Sequence, residues 1–468
     1  SHVAHVDTLR RIRWLRYVGF AATELGNVHD GVLQLQTALH LLGKRLPRSR
    51  TWLNLRLGKE VLIQTGFLTH VLRTRARVSP AKREVLLEQA EIYRLLGKAA
   101  FFEQDHLTYV TASLVAINLA ERTGAHETAA SAYAALAYIV AMLGLRRLAE
   151  RWWKLADESS RPDAKLDVVM GRMMFLNSHA RWEESAALVN AQAKMIERIG
   201  NSTSMPLHQI IQFYLNLHRG ELDAARASAM AYLDWALSQN NVQEGLSGHV
   251  HLIIVDLLQG RAADATRRML DAEALASRVA TPMYRIMFLG LRVDARREAG
   301  NLDAAAHDAE MLQQLLDQTP SYIGGEMSGY VALTEYFIAR WRQLGQATAA
   351  KVARSHALKA YRTLKKHALL NPYARPRRWL LDAKIATREE RFDRARRSRQ
   401  RALKLAERCQ MSRESADAHL ELGLDPTLPA PTRAAHLSAA REIFTKMGCA
   451  MQVKRIDEWL DHLGMSTA

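Results

Sequence analysis

The residues best able to do chemistry are scattered along this chain rather than convergent. His249 and His251 lie two apart in helical sequence and diverge by about 200 degrees, so they cannot share a metal ion. Each reads as a satisfied or exposed histidine. Glu103, Asp105 and His106 sit at a turn with no nucleophile motif beside them, and neither G-x-S-x-G nor H-E-x-x-H occurs. Cys409 follows a basic run and Cys449 stands alone. Neither is placed with the local helix start that would make a reactive thiolate. The expectation is a chain without catalytic residues, metal or cofactor, and hence a binding protein rather than an enzyme.

Charge offers a second possible chemistry. The 468 residues carry 65 Lys and Arg against 48 Asp and Glu, a net charge of +17. Residues 340–408 alone hold 21 Lys and Arg against 5 acids, so this segment nearly accounts for the total. Arg375, Arg377, Arg378, Arg394, Arg396, Arg397, Arg399 and Arg401, with Trp379 among them, form a basic patch suited to phosphates or an acidic protein surface. The plainer reading is a solvated helix face. No recognised docking motif accompanies the charge, so specific nucleic-acid binding is not expected.

The elements that must position these residues are helical. Apolar residues make up 48% of the chain, Gly (24) and Pro (11) are scarce, and Ala, Leu, Arg and Glu dominate. Self-similarity appears as helix, short polar turn, helix: AALAYIVAMLGLRRLAERWWKLADE, IIQFYLNLHRGELDAARASAMAYL, HLIIVDLLQGRAADATRRMLDAEAL and FLGLRVDARREAGNLDAAAHDAEML. The turn glycines Gly220, Gly260 and Gly300 are 40 residues apart, preceded by Gly144 and the Ala180/Arg181 turn. Gly26, Gly97, Gly345 and a turn near Arg391 extend the series less regularly. Glycine accepts the left-handed conformation that ends a helix. Small residues after the turn, as in Leu222-Asp223-Ala224-Ala225, let the two helices approach closely.

All eleven prolines, from Pro47 to Pro431, fall between the proposed pairs, where a missing N–H costs no helical bond. Neither helix of a pair buries its apolar stripe alone, so neighbouring pairs must stack. Residues 128–145 carry no charge but are rich in Ala, Tyr and Ser, which suits a buried helix better than a membrane span. YIGGEMS, within 321–328, reads as a loop. Two cysteines point to a reducing compartment, the cytoplasm. The sequence opens in charged helical residues without a basic-then-apolar leader, and its leading Ser1-His2 raises the expectation of a fragment of a longer protein.

The units resemble tetratricopeptide repeats. They imply an all-α solenoid forming a right-handed superhelix. Three segments in order, ALHLLGKRLPRSR, LLEQAEIYRLLGKAAFFEQDHLTYVTASLVAINLAERTG and RPRRWLLDAKIATREERFDRARRSRQRALKLAERCQMSRESADAHLELG, resemble the C-terminal helical region of large bacterial signalling ATPases. That region is similar to the helical repeats of the maltose-regulon activator. In that family a nucleoside-triphosphatase module, often with a cyclase or Ser/Thr kinase, precedes the repeats. This chain shows no phosphate loop, kinase signature or cyclase metal aspartates.

The resulting organisation is an N-terminal helical repeat (1–46), an irregular helical connector (47–85), central tetratricopeptide-like repeats (86–320), basic C-terminal repeats (321–425) and capping helices (426–468). In such arrays the first helix of each pair lines the concave surface. With the turn residue as register mark, Tyr138, Met174, Asn177, Tyr214, His218, Asp294 and Arg297 fall on that face as candidate ligand contacts. Ordinary packing between repeats is the alternative for each.

Three functional readings stand. The chain is a sensor or scaffold that binds a protein, a peptide or a small effector and acts on an ATPase, cyclase or kinase module of the same parent chain. Alternatively it is a stand-alone interaction protein, with homodimerisation through terminal repeats. The third reading is an enzyme or carrier-protein partner with chemistry hidden in the groove.

Overall fold

A computed structural model describes residues 2–47, 49–68, 79–103, 105–159, 165–199, 205–279, 281–318, 327–345 and 348–463. The chain is an all-α solenoid, with 22 α-helices and no strand among the described residues. It divides into two compact units, the first Ser1–Phe175 with Ala191–Ser204 and Gln239–Val242, the second Leu176–Asn190, Met205–Ser238 and Gln243–Ala468.

The first unit holds α1 (His2–Glu24), α2 (Val28–Leu41), α3 (Arg50–Leu68), α4 (Pro80–Phe102), α5 (His106–Thr123), α6 (Ala130–Met142) and α7 (Arg146–Ser159). Its core gathers Ile12, Leu35, Leu39, Ile92, Leu96, Ile117 and Tyr133. The expected turn at Gly97 is absent. Gly97 lies inside α4, and a Cβ there would meet Ser113 Oγ at 2.9 Å, so this glycine serves the close crossing of α4 and α5. The uncharged segment forms α6, buried as expected. No helix among the described residues is long and apolar enough to cross a membrane.

Two helices, α8 (Lys165–Ser178) and α9 (Trp182–Ile199), are divided between the units. The second unit continues with α10 (Met205–Arg219), α11 (Leu222–Ser238), α12 (Val242–Leu258), α13 (Ala262–Ala276), α14 (Pro282–Glu298), α15 (Leu302–Gln318), α16 (Met327–Leu344) and α17 (Thr348–Leu370). It ends in α18 (Arg375–Arg388), α19 (Phe392–Arg408), α20 (Ser412–Gly423), α21 (Ala430–Lys446) and α22 (Ala450–His462). Gly220, Gly260 and Gly300 have φ of +82, +75 and +75, as their place at helix ends requires. Further on, Glu390 and Gln410 take the same left-handed role at φ +59 and +51.

Prolines 80, 206, 282, 376 and 431 occupy the first two positions of α4, α10, α14, α18 and α21, where no helical N–H is lost. Pro162, Pro320 and the loop expected at 321–326 lie outside the described residues, and Met327 and Ser328 already belong to α16.

Across each turn, residues about twelve apart face one another, and the second unit uses this register for buried ion clamps. Fully buried Asp256 on α12 accepts from Arg268 Nε on α13 at 3.1 Å and from Arg261 Nε at 2.9 Å. Forty residues on, the signs are exchanged: Arg296 on α14 donates to buried Asp308 on α15 at 2.6 Å, with Arg292 adding bonds of 2.7 and 3.1 Å. Asp382 on α18 repeats the first arrangement with Arg394 on α19 at 2.7 Å. An aspartate sealed this way has a single stabilising neighbour geometry, so each clamp fixes which helix faces which.

The second unit also closes on itself. In an open solenoid each repeat touches only its neighbours. Here one apolar cluster joins Phe213, Leu217, Leu222 and Leu252 with Ala416, Leu437, Phe444 and Ile456. Ser412 Oγ donates to Arg219 O at 2.6 Å, and Trp182 Nε1 donates to Cys409 O at 2.5 Å. At Gly220 a Cβ would lie 2.8 Å from Ser412 Cβ and 3.0 Å from Met447 Cγ, so the seam requires glycine there for space as well as for φ.

Candidate binding face of the second unit

Stacking of neighbouring pairs brings their first helices, α14, α16, α18 and α20, into a ladder of opposite charges. On α14, Arg297 Nη2 donates to Asp294 Oδ1 at 2.5 Å, and Glu335 on α16 lies next in the field of Arg297. Glu335 accepts from Lys384 Nζ of α18 at 2.8 and 3.1 Å. Lys384 Nζ is also 3.6 Å from Glu421 of α20, while Arg377 of α18 reaches Asp417 at 2.7 Å and Glu414 at 3.6 Å. Arg399 on α19 extends the ladder outward, donating to Asp425 at 2.8 Å and to Thr387 Oγ1 at 3.0 Å.

Burial alone would raise the Glu335 carboxyl pKa, but Lys384, Arg297 and Arg377 together hold it below the ordinary carboxylate value. Burial likewise opposes the charge on Lys384 and Arg377, yet the carboxylates around each raise both pKa values. Glu335, Lys384 and Arg377 are therefore ionised at neutral pH. The Lys384 side chain is surrounded by protein and still 31% exposed, so water reaches this face. A ligand could compete there for the same charges.

At one end of the ladder stands an aromatic cage. The His218 ring stacks on Trp182 at 5.1 Å (21°), lies 6.5 Å from Tyr214 and meets Tyr373 edge-on at 5.3 Å. Burial lowers the His218 pKa against the pull of Glu414, so the caged ring is neutral. Tyr214 OH is 3.2 Å from His251 Nε2, and burial takes His251 down to about 3.

The sequence-derived residues separate accordingly. Tyr214 and His218 sit in the cage, and Asp294 with Arg297 opens the ladder. Asn177 belongs to the same unit, where its Oδ1 accepts from Ser185 Oγ at 2.6 Å. Tyr138 is buried in α6 and Met174 is half-buried in α8, both in the first unit. Trp182, Glu335, Tyr373, Arg377, Lys384, Glu414, Asp417 and Glu421 were not marked by the register argument. The repeat offered a signal for some of them, because Glu335 follows Arg297 by 38 residues and Glu421 follows Lys384 by 37.

The eight arginines of the basic patch do not form one face. Arg377 and Arg399 are drawn into the ladder, and Arg394 clamps Asp382 together with Ser398 and Tyr361. Arg375 Nε donates to Ala368 O at 3.1 Å, tying the end of α17, and Arg396 pairs with Asp393 at 2.8 Å. Arg378 and Arg401 lie 3.8 and 4.9 Å from the Trp379 ring centre. Arg397 is exposed. His249 and His251 are both buried, and no cluster of three or more potential metal ligands occurs among the described residues.

No family model and no curated protein matches the chain. Among solved structures 31 chains match, one of them described as the human IFIT1 dimer with PPP-AAAA. It is 14% identical with a TM-score of 0.41, over 80% of this chain and 91% of that one. A likeness so distant assigns neither family nor ligand.

Proposed function

We propose that the chain is a protein-interaction or effector-sensing scaffold, the regulatory helical-repeat region of a cytoplasmic bacterial signal-transduction ATPase. The inner face of its second unit is the binding surface in this reading. The observation that supports it is the combination of a water-reached ladder of opposed charges with the partly exposed Tyr214 and Tyr373 of the aromatic cluster. Such a face offers paired hydrogen-bond donors and acceptors and aromatic anchors to a peptide or small polar effector. Occupation of the ladder would replace contacts between first helices by contacts to the ligand and alter how firmly those helices hold together, which is how a repeat array passes binding energy to an attached module.

The test is a thermal-shift screen of short charged peptides and small polar metabolites against the wild-type chain and two variants, Asp417→Asn and Tyr373→Ala. A ligand that stabilises the wild type and fails with both variants supports the reading. Ligands that stabilise all three equally bind elsewhere and contradict it.

A further inference from the structure

Once its inward arginines are accounted for, α19 retains a row of free cations. Arg397, Arg401, Lys404 and Arg408 are spaced four, three and four residues apart, which places them along one side of the helix. All four are exposed, and no carboxylate forms an ion pair with any of them among the described residues. With a rise of 1.5 Å per residue the row spans about 16 Å and advances about 5 to 6 Å per charge.

The row is flanked by prepared guanidiniums. Arg401 shares the Trp379 indole with Arg378, whose Nε is buried without a hydrogen-bond partner. Stacking on an aromatic ring holds a guanidinium in place while leaving its N–H edge available, the arrangement suited to phosphate recognition. Arg375 and Arg408 both act on the Cys409 thiol, which puts a further cation at the C-terminal end of the row.

We propose that this face of α19 is a docking surface for a nucleic-acid strand, gripped through its phosphates without regard to sequence. It is a surface separate from the inner face and does not depend on the scaffold reading. A regular row of one sign fits a polymer of regular charge, and most of its members are arginine rather than lysine. Gln400 and Glu407 are the other exposed residues within the row's span and Leu405 beside it is half-buried, so the face presents no exposed apolar side chain to enter a bilayer. That favours phosphate of nucleic acid over phosphate of a lipid surface.

The experiment is fluorescence anisotropy of a labelled 20-nucleotide oligo-dU with the full chain between 50 and 200 mM salt. It compares wild type with the quadruple variant Arg397→Gln, Arg401→Gln, Lys404→Gln, Arg408→Gln. The control removes four exposed lysines elsewhere (Lys44→Gln, Lys59→Gln, Lys82→Gln, Lys194→Gln) and so lowers net charge equally. Loss of four phosphate contacts should reduce the slope of log affinity against log salt by about 3, with at least a tenfold loss of affinity at 50 mM salt. The control should keep the wild-type slope. The double variants Arg397→Gln, Arg401→Gln and Lys404→Gln, Arg408→Gln should each give about half the effect. The proposal is overturned by an unchanged slope in the quadruple variant or by an equal loss in the control. Tighter binding of the row to anionic phosphatidylserine vesicles or to poly-glutamate than to the oligonucleotide would also overturn it.

Discussion

In the first unit Trp14 and Trp52 stand 62% and 66% exposed on α1 and α3, with Tyr17 and Leu62 also in water. In the second, Asp256, Asp308, Glu335 and Asp382 are sealed inside among arginines and lysines. Apolar packing dominates the first, beside buried Glu88 paired with Arg13 and Arg16 and buried Glu60 paired with Arg56, and such packing is tolerant of detail because one hydrophobic side chain of suitable volume replaces another. The second repeats its ion clamps at a twelve-residue register from one helix pair to the next. These contribute little as net stability but cost a great deal when half-removed, since the partner charge stays behind. The comparison teaches that the two units should fail in different ways.

The largest effect is expected at Asp256. Changing it to alanine leaves Arg261 and Arg268 without their buried acceptor, and the loss should be about 4 kcal/mol, within the range for breaking a buried pair. Urea unfolding monitored by far-ultraviolet circular dichroism reads this directly. A change below about 1 kcal/mol would mean the clamp is no more than a surface pair.

Next comes acidification. In the second unit His208, His218, His249, His251, His367, His419 and His436 are all held below the usual histidine value, chiefly by burial, His251 to about 3 and His367 to about 4. Among described residues of the first unit only His106 is lowered. The unfolded chain takes up protons near 6.5 while these rings stay neutral in the fold, so their contribution is intact above that pH and is lost as pH falls toward 4 and 3. Amide exchange by peptide mass spectrometry at pH 7 and pH 5, corrected for intrinsic rates, should show protection lost in the second unit first. Equal loss in both units would remove this distinction.

The smallest effects belong to the first unit's exposed aromatics. Trp14→Ser and Trp52→Ser should each shift the unfolding free energy by no more than about 0.5 kcal/mol, as for other surface positions. A larger loss would show that these rings pack against something in solution.

Much of this contrast was legible in the sequence and some of it was not. The forty-residue spacing of Gly220, Gly260 and Gly300 gave the helix pairs, and with them the cage residues Tyr214 and His218 and the first rung of the ladder, Asp294 and Arg297. The register weakens further on because Glu390 and Gln410 take the left-handed position from glycine: the turn near Arg391 is still legible, but the one at Gln410, ahead of Glu414, carries no such mark. Tyr138 occupied a helix apolar on all sides, where one face looks like another. Gly97 was misread because glycine marks a close crossing as readily as a turn. The pairing of Arg219 with Ser412 had no local sign at all, since nothing in either segment encodes a partner 193 residues away.

That closure is the central structural claim, because the inner face exists as a single surface only if α20 returns to α10. Gly220 and Gly300 share nearly the same φ, but a Cβ at Gly220 would strike Ser412 and Met447 whereas one at Gly300 would meet nothing within 4 Å. The unfolding free energies of Gly220→Ala and Gly300→Ala, measured side by side, separate strain from contact. Backbone strain alone should cost each about 1 kcal/mol, and overpacking at the seam should cost Gly220→Ala a further 1 to 3 kcal/mol. Equal losses in the two variants would contradict the closed second unit.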